Sequence, residues 1–486
     1  MMSRLTILFD LVLDFLIMHN FNGIYLRIKG KRLIFCVVFA VLILFSFLYI
    51  NRGDVEFWDE ATNLVVIVES EKTSDLLDLK FNDTYFWEKP PSYYYIGIVI
   101  LKLFSLSVEN LVTSMRIISA VFGILTILSV YLVLSKKISS KAGFFSVLFF
   151  LSVPSLWLMN PSGTLATHNF RSADSDAMQL FFITVGSLLA IYYPRKYLLP
   201  AVFAGIALMT KGPMGFLPIV IQVGLFIVQY NQKTINSKEI YRKISKIIMI
   251  LLIIIVPWHL YMTIKFGMDF WDEYLIYHIL NRSSSALEGN SQPVWFYLKF
   301  LINPQSSGIL LWVLASLIIQ IKNRRFTIFE NKELIIASGL LILISMAATK
   351  LSWYSLITIP FFVIYLAKSW DRIVAKSSFL KYLFLTILLV QILFVFLSIL
   401  TLKPGVQNFV KNSIDSHTLF MSEREPHRVF KFFEIMNEGD LETNCDIEFS
   451  YTDRIIYDSH EYGFAREEFK ITENYSYLDR RSCAIN

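Results

Sequence analysis

Charged residues are scarce in this chain of 486 residues: only 17% are Asp, Glu, Lys or Arg, whereas 55% are hydrophobic. This composition, with a mean hydropathy of +0.54, excludes an ordinary soluble globular protein. Apolar runs of about 20 residues, which suffice to cross a bilayer core of about 30 Å, recur along the chain. Backbone polar groups in lipid must bond within their own segment, so we expect an all-α polytopic membrane protein. The net charge of +6 is modest and does not indicate nucleic-acid binding.

Cysteine is also scarce, with three residues in the whole chain. Cys36 lies in the first long apolar run, whereas Cys445 and Cys483 both lie near the C-terminus. A disulfide between the latter two would suit an oxidising compartment. Two unrelated free thiols are an equally good interpretation, so the sequence leaves the pairing open.

About eleven apolar runs are candidate spans, and their number determines on which side of the membrane each loop lies. The predicted spans are about 33–50, 111–134, 142–159, 175–193, 197–210, 213–230, 246–264, 306–321, 333–349, 351–368 and 380–401. With these spans, every short basic loop, from "RIKGKR" to "KSWDRIVAKSSFLK", faces the cytoplasm. The other loops, including 51–110 and 265–305, then face outward. Because no small-residue cleavage site follows it, we interpret the first run as an uncleaved span.

Three segments do not fit the pattern of simple spans. Residues 1–32 are predicted to be an interfacial or cytoplasmic segment, because their apolar part carries Asp10 and Asp14. Residues 91–107 are apolar, but a full crossing there would reverse the side of every later basic loop. We interpret them as a juxtamembrane or re-entrant helix within the first outward loop, 51–110. Residues 403–486 are richer in charge and predict a small α/β domain outside the cytoplasm, after a transmembrane domain at 33–402.

Charged and polar residues collect at the outward ends of the predicted spans, although they are far apart in sequence. They are Asp59, Glu60, Glu88, Lys89, Arg171, Asp174, Asp176, Lys211, His278, Arg282, Lys350 and Tyr354. Charge at a span end is costly unless it is paired or serves a site. The lysines could simply extend to water. Together with Arg282 they could instead form a cationic pocket for the phosphate of a membrane lipid.

The acidic residues in this set also allow two interpretations. A carboxylate beside a phosphate pocket could accept a proton from an attacking hydroxyl, or it could hold a divalent cation. Glu88 and His278 are a candidate metal pair, whereas His168 and His259 are interpreted as ordinary polar contacts. Tyr85 and Phe86 belong to an aromatic group that could line the interface, stack on a sugar or contact a prenyl chain.

Five motifs occur in order at matching membrane positions: "WDEA", "EKPPSYYY", "RSADSDAMQLFF", "MTKGPMGFLP" and "TKLSWYSLITIP". Over about residues 33–370 the chain resembles the GT-C class of bacterial membrane glycosyltransferases. The groups that it is most similar to are the aminoarabinose-transferase-like enzymes and the related protein O-mannosyltransferases. The resemblance implies a GT-C fold of about 11–13 transmembrane helices in the bacterial inner membrane, with the active site on the outer face. It also implies transfer of a sugar from a polyprenyl-phosphate carrier to lipid A, a glycan or a protein.

The resemblance also implies roles for individual residues. Asp59 would be the general base, with Glu60 in support, and Asp176 matches an acid that opens the span after the second outward loop. Lys89, Lys211 and Lys350 would surround the carrier phosphate, joined by Arg282 and Tyr354. Tyr85, Phe86 and Arg171 would contact the carrier or the sugar, and Glu88 with His278 could hold a divalent metal ion. Direct attack would invert the anomeric centre.

Three departures separate this chain from the usual motifs. Relatives often read Asp-Glu-Ala-Arg-Tyr, whereas this chain has Thr62 and Asn63 at the last two positions. Phe86 takes the position of a tyrosine, and Asp174 stands where relatives often have a basic residue. The changes argue against copying an aminoarabinose substrate. A flippase for a lipid-linked sugar, or an inactive sugar- or lipid-binding membrane protein, therefore stays open as an alternative.

Overall fold

The computed structural model describes residues 28–52, 59–73, 77–81, 84–158, 168–286, 290–324, 326–327, 330–374 and 378–402, together with four strands nearer the C-terminus. The chain divides into two compact units, Met1–Leu44 and Phe45–Asn486. In the first unit, residues 1–27 lie outside the described part, so the predicted interfacial segment is described only from Ile28. Cys36 is exposed; Cys445 and Cys483 lie outside the described residues.

The predicted all-α membrane fold is confirmed. The helices are α1 Ile28–Phe47, α2 Asp59–Glu71, α3 Ser92–Phe104, α4 Val108–Lys137, α5 Ser140–Ser152, α6 Asp176–Tyr192, α7 Leu199–Lys211, α8 Leu217–Asn231, α9 Ser237–Phe266, α10 Met268–Trp271, α11 Arg282–Ser284, α12 Phe296–Ile302, α13 Ile309–Lys322, α14 Lys332–Met346, α15 Ile359–Val374 and α16 Ser378–Leu400. Short 3₁₀ turns join several of them, and a π-helical stretch, Asp272–Asn281, joins α10 to α11.

Four described helices are both long and apolar enough to cross a membrane: Asn110–Lys137, Pro213–Asn231, Ser237–Phe266 and Tyr382–Leu400. Six further apolar helices are shorter, at 10–17 residues. Helix α3 is one of these; its 13 residues rise about 20 Å, less than the thickness of a bilayer core. Its side of the membrane, like the count of about eleven spans, stays a prediction.

The first predicted outward loop contains its own secondary structure. Helix α2 begins at Asp59 and is followed by a hairpin of β1 Lys80–Phe81 and β2 Thr84–Tyr85, which pair antiparallel. Residues from α2, the hairpin and α3 share one hydrophobic core, in which Phe86, Tyr93 and Tyr94 are buried. This core fixes the segment that carries Lys89 between the hairpin and α3.

The core of the described helices is centred on α6, which packs against α4, α7 and α8. A short turn, Pro194–Lys196, separates α6 from α7, so the two helices run antiparallel as neighbours. The N-terminus of α6 and the C-terminus of α7 therefore lie at the same end. As a result, Asp176, the first residue of α6, meets Lys211, the last residue of α7.

Near the C-terminus the described residues form a sheet of four strands in the order β3-β4-β6-β5. The strands are β3 Thr418–Met421, β4 Arg454–Tyr457, β5 Phe469–Thr472 and β6 Tyr475–Asp479. Strand β3 pairs parallel with β4, whereas β6 pairs antiparallel with both of its neighbours. The remainder of the predicted 403–486 domain lies outside the described residues.

Candidate active site

The carboxylate of Asp59 forms an ion pair with the predicted phosphate-binding lysine. The Nζ of Lys89 lies 2.5 Å from Oδ1 of Asp59, and both side chains are almost fully buried, at 11% and 12% exposed. Asp59 is also the first residue of α2, where the partial positive charge of the helix N-terminus favours an anion. The pair brings together two residues from motifs that are thirty positions apart in sequence.

The second oxygen of Asp59 contacts His168, which the sequence interpretation had treated as an ordinary polar residue. Nε2 of His168 lies 2.9 Å from Oδ2 of Asp59. On the other side of the ring, Nδ1 lies 3.0 Å from Oδ2 of Asp174 and 2.5 Å from Oδ2 of Asp176. The imidazole thus bridges three carboxylates that belong to two separate motifs.

A second lysine completes this group of side chains. Nζ of Lys211 forms a hydrogen bond and ion pair with Oδ2 of Asp176, and it lies 3.9 Å from Oδ1 of Asp174. We call the six residues Asp59, Lys89, His168, Asp174, Asp176 and Lys211 the ionic cluster. With the histidine protonated, three positive charges balance three negative charges in a largely buried site.

Burial and neighbouring charges oppose each other in the ionic cluster. Burial favours the neutral form of Asp59, but the cations Lys89 and His168 outweigh it and hold the pKa of Asp59 well below its usual value. Burial likewise disfavours a charged His168, yet Asp174 and Asp176 raise the pKa of His168 well above 6.5. For Lys89, burial is outweighed by Asp59, so the pKa of Lys89 is raised too. Each group is therefore charged near neutral pH.

The potential metal ligands of the ionic cluster do not suit a resident metal ion. In the described part of the chain, one group of three potential ligands comes together within 4.8 Å, namely Asp59, His168 and Asp174. Lys89 and Lys211 already neutralise the carboxylates of this cluster. Of the predicted metal pair, His278 places Nε2 3.0 Å from Oε1 of Glu273.

Glu88 and Arg282 both lie close enough to His278 to influence its titration. Burial lowers the pKa of His278, Glu88 acts to raise it, and Arg282 acts to lower it further. Glu88 and His278, the predicted metal pair, therefore lie near each other. Neither belongs to the group of three potential ligands in the described residues.

Glu60 points away from the ionic cluster and makes a buried bidentate ion pair with Arg116. Nε and Nη2 of Arg116 donate to Oε1 and Oε2 of Glu60 at 2.8 and 2.9 Å. The backbone N–H of Ala173 also donates to Oε1 of Glu60, at 2.6 Å. Glu60 thus ties the start of α2 to α4 and to the segment that carries Asp174. Its role in the structure is to hold the neighbours of Asp59 in place.

The segment that carries His168 is fixed by close packing as well as by hydrogen bonds. A Cβ atom at Gly123 of α4 would lie 2.5 Å from Cγ of Phe170, so only glycine allows this approach. His168 itself has a φ of 66°, in the left-handed region. Its ring stacks on Trp353 with 4.1 Å between centroids. Packing and the backbone turn together aim the imidazole at Asp59.

Two of the other predicted site residues, Arg171 and Phe86, make structural contacts. The guanidinium of Arg171 donates to the carbonyl oxygens of Phe45 and Leu48 at the end of α1. Phe86 is buried and packs against Tyr94. These contacts place Arg171 and Phe86 inside the protein, away from the surface that a carrier or sugar would need to reach.

Tyr85, by contrast, is 40% exposed. Its ring lies 3.3 Å below the Nζ of Lys80 and 4.5 Å from the ring of Phe266 at the end of α9. It is therefore the one aromatic residue of the predicted carrier contacts that offers an accessible face in the described structure.

The turn that carries Lys350 lies against the segment that carries Arg282. The N–H of Thr349 donates to the carbonyl of Arg282 at 3.1 Å, and the N–H of Lys350 donates to the carbonyl of Asn290. Nζ of Lys350 donates to the carbonyl of Ala347 at 2.6 Å. Trp353 follows three residues after Lys350 and stacks on the ring of His168, and Tyr354 is the next residue. Lys350, Arg282 and Tyr354 are thus joined to the ionic cluster by way of Trp353.

An apolar cavity of about 360 Å³ is lined by residues close in sequence to the two lysines of the cluster. It is lined by Pro91, two residues after Lys89, and by Met209, two residues before Lys211. Its remaining walls are Leu77, Ser92, Tyr95, Ile206, Ile254, Pro257, Trp258 and Tyr261, from α3, α7, α9 and the preceding loop. The cavity therefore offers an apolar surface formed by the segments that also carry Lys89 and Lys211.

Comparisons with known proteins agree with this architecture. The family described as "Dolichyl-phosphate-mannose-protein mannosyltransferase" matches residues 88–261, which include Lys89, His168, Asp176 and Lys211. The crystal structure of ArnT from Cupriavidus metallidurans bound to undecaprenyl phosphate covers 93% of this chain and 98% of its own chain. It superposes with a TM-score of 0.60 at 15% identity. The chain has the fold of this ArnT structure.

Two curated proteins show the same relationship in sequence. An uncharacterized protein of Aquifex aeolicus is 23% identical over 73% of this chain and 77% of its own length. An undecaprenyl phosphate-alpha-4-amino-4-deoxy-L-arabinose arabinosyl transferase of Shewanella sediminis is 24% identical over 56% of this chain and 48% of its own length. The resemblance that the five motifs indicated is therefore confirmed.

Sequence reasoning found most of the ionic cluster but missed three residues that organise it. Asp59, Lys89, Asp174, Asp176 and Lys211 are candidates from the sequence, and they converge in the structure. The sequence interpretation of His168 as an ordinary polar contact misses its position between the carboxylates, and Arg116 and Trp353 are not among the candidates. The available signal for His168 was its place six residues before Asp174, at the head of the acidic motif.

Proposed function

We propose that this GT-C protein transfers a sugar from a polyprenyl-phosphate donor to an acceptor hydroxyl at the membrane surface. The observation that carries the proposal is the ion pair of Asp59 and Lys89, 2.5 Å apart, inside a cluster with Lys211 and His168. A carboxylate can accept the proton of an attacking hydroxyl, and cations beside it can stabilise a phosphate leaving group. The fold and the family match agree with this chemistry.

The donor would place its phosphate at Lys89 and Lys211 and its prenyl chain in the apolar cavity. Pro91 and Met209 line the cavity two residues from Lys89 and Lys211, so we expect a single amphipathic ligand to reach both the cavity and the lysines. A lysine ammonium binds phosphate as a point charge, and burial strengthens the attraction. Lys350 and Arg282, on adjoining segments, would contribute further positive charge. Tyr85, with its accessible ring, would contact the carrier or the sugar.

The reaction needs one proton transfer and one displacement. Asp59 accepts the proton of the acceptor O–H as that oxygen attacks the anomeric carbon. The bond from the anomeric carbon to the phosphate oxygen breaks, and the polyprenyl phosphate leaves with the electron pair. Lys89 and Lys211 stabilise the negative charge that develops on the phosphate. A phosphate leaving group needs no proton donor, and direct attack inverts the anomeric centre.

The acceptor class and the membrane side belong to the same proposal. We place the protein in the bacterial inner membrane, with the ionic cluster on the extracytoplasmic face. The acceptor would be lipid A, a glycan or a protein, because these are the hydroxyl-bearing molecules at that surface. Thr62 and Asn63 replace the usual Arg and Tyr of the first motif, and this change argues against aminoarabinose as the donor sugar.

The deciding experiment incubates the purified full-length protein in detergent with a panel of polyprenyl-phosphate sugars and a bacterial envelope extract that supplies the acceptor hydroxyls, and it follows the release of polyprenyl phosphate. We expect one sugar to be consumed by the wild type and none by Asp59→Asn. Removing a catalytic base typically lowers the rate by about 10²–10⁴-fold. Movement of the lipid across vesicles without consumption would support the flippase interpretation instead. Full activity of Asp59→Asn in a folded protein would refute the assignment of the base.

A further inference from the structure

Both oxygens of the Asp59 carboxylate already have cationic partners, which is a difficulty for a general base. Oδ1 lies 2.5 Å from Nζ of Lys89, and Oδ2 lies 2.9 Å from Nε2 of His168. A carboxylate held on both oxygens by cations is a weak base, because each contact stabilises the charged form. Before Asp59 can accept a proton from the acceptor, one of the two partners has to give way.

The two partners differ in how firmly they are held. His168 is buried, stacks on Trp353 and contacts Asp174 and Asp176 through Nδ1. Its ring cannot leave Asp59 without breaking all of these contacts. Lys89 has a flexible four-carbon stem, and its ammonium has three donors that can be redirected. It also lies two residues before Pro91 at the apolar cavity, where the proposed donor enters.

We propose that the donor phosphate draws Lys89 away from Asp59, and that His168 is the positioning residue that keeps hold of Oδ2 during this exchange. Oδ1 is thereby freed to accept the proton only when a donor is in place. The ammonium moves from a carboxylate to a phosphate, so the site keeps its positive charge. An ion pair is exchanged, and no covalent bond is made or broken. The inference rests on the proposed function, because it concerns the same donor and the same base.

The exchange predicts that Asp59 weakens the binding of the donor phosphate. We would measure binding of undecaprenyl phosphate to the purified full-length protein by titration calorimetry in detergent. Asp59→Asn should bind roughly tenfold tighter than the wild type, since its Lys89 no longer has to leave a charged partner. Lys89→Ala should bind weakly, and adding Asp59→Asn to it should give no tightening. Asp59→Ala serves as a second variant if the asparagine variant does not fold.

Glu333 provides a matched control for removing a buried carboxylate. Its Oε2 lies 2.7 Å from Nζ of Lys368, and its side chain is fully buried. It contacts Tyr192 at the C-terminal end of α6, about 24 Å along the helix from Asp176. Glu333→Gln should leave the affinity for undecaprenyl phosphate unchanged.

The role of His168 is tested by combining variants. His168→Gln leaves Asp59 more dependent on Lys89, so it should weaken binding several-fold in the wild type but not in Asp59→Asn. It should also lower kcat at saturating donor. A merely structural role would weaken binding in both backgrounds, and that result would overturn the positioning assignment.

The outcomes separate this inference from the proposed function. If Lys89→Ala leaves the affinity unchanged, then the phosphate site and the exchange both fail. If Lys89→Ala weakens binding but Asp59→Asn does not tighten it, then the exchange alone is refuted and the phosphate site stands.

Discussion

At the scale of single residues, Glu60 shows how a side chain beside the reacting group can serve it without touching a substrate. Glu60 and Arg116 are 0% and 1% exposed, and they make a bidentate contact. Removing one partner of such a pair leaves a buried charge without compensation. The backbone N–H of Ala173 then also loses the carboxylate oxygen of Glu60 as its charged acceptor. Stability and activity are therefore coupled at this position.

We expect Glu60→Gln to lower the free energy of unfolding by about 3–5 kcal/mol. Sugar transfer should also fall, because Asp59 and Asp174 are attached to the elements that Glu60 connects. Thermal unfolding in detergent and the release of polyprenyl phosphate measure the two effects. Glu239→Gln is the control, since Glu239 pairs with Lys243 four residues on at the surface and should show no effect. An unchanged melting temperature for Glu60→Gln would contradict the structural role.

The raised pKa of His168 gives a pH dependence with a definite sign. A group whose pKa is higher in the folded state adds stability below its unfolded value, near 6.5, and loses it as the pH rises through the folded value. The difference in melting temperature between wild type and His168→Gln should be constant below pH 6.5 and should shrink above it. Melting curves over a pH series measure this. A difference that grows with rising pH would contradict a protonated His168.

How far single residues can be inferred from sequence depends on the interaction that places them. Asp59 and Lys89 lie in short motifs, so the motifs mark them as candidate site residues, whereas their roles follow from the family resemblance. His168 reaches Asp59 only because its backbone adopts a φ of 66° and Trp353 covers its ring. Neither the turn nor the packing leaves a periodic signal. Arg116 lies within the apolar helix α4, where a lone arginine does not reveal its partner 56 residues earlier.

At the scale of elements, the geometry of α6 and α7 was more accessible to prediction than that of the segment between α5 and α6. Two apolar runs separated by a short basic turn predict antiparallel neighbours, which places Asp176 and Lys211 at one end. The segment that begins at His168 is instead fixed against α4 by the contact of Phe170 with Gly123. A tertiary contact of this kind cannot be inferred from the amphipathicity of either element.

The contact of Gly123 with Phe170 gives a prediction at the level of this element. A Cβ at Gly123 would lie 2.5 Å from the ring of Phe170, so Gly123→Ala should displace the segment and cost about 1–3 kcal/mol of stability. Gly224 in α8 is the matched control, because no atom lies within 4 Å of a Cβ built there. Both are helix glycines, so the gain in helix propensity is shared.

Activity distinguishes the two variants more sharply than stability does. Gly123→Ala should lose sugar transfer together with His168 alignment, while Gly224→Ala should keep it. The release of polyprenyl phosphate measures the activity, and thermal unfolding measures the stability. If both variants keep full activity, then the packing of Phe170 does not set the position of the cluster.

At the scale of the whole molecule, charged residues lie at both ends of the helices, in the ionic cluster at one end and in short basic loops at the other. At one end, Asp176 and Lys211 meet in the ionic cluster. At the other end of α6, Lys137 lies 4.2 Å from the ring of Tyr193, and Tyr192 contacts Glu333, which pairs with Lys368. The basic loops are thus at the end away from the cluster. Since basic loops collect in the cytoplasm, the cluster is expected on the outer side.

The end of the described helices connects to the same side as the cluster. Nη1 of Arg52 donates to the carbonyl of Leu402 at 3.3 Å, and Nη1 of Arg116 donates to the carbonyl of Arg52 at 3.0 Å. Arg116 in turn holds Glu60, the neighbour of Asp59. Residue 402, the end of the described helices, is therefore close to the Arg116–Glu60 pair beside the ionic cluster.

This connection makes the orientation of the protein testable. Alkaline phosphatase is active only outside the cytoplasm. It should be active when fused after residue 402 and inactive when fused after residue 196, at the end of the turn between α6 and α7. A green fluorescent protein should show the reverse pattern, and it serves as the control for expression. If the phosphatase after 402 is inactive and the fluorescent fusion bright, then the ionic cluster faces the cytosol. An extracytoplasmic acceptor could not reach Asp59 in that case, and the proposed transfer would have to occur on the inner leaflet.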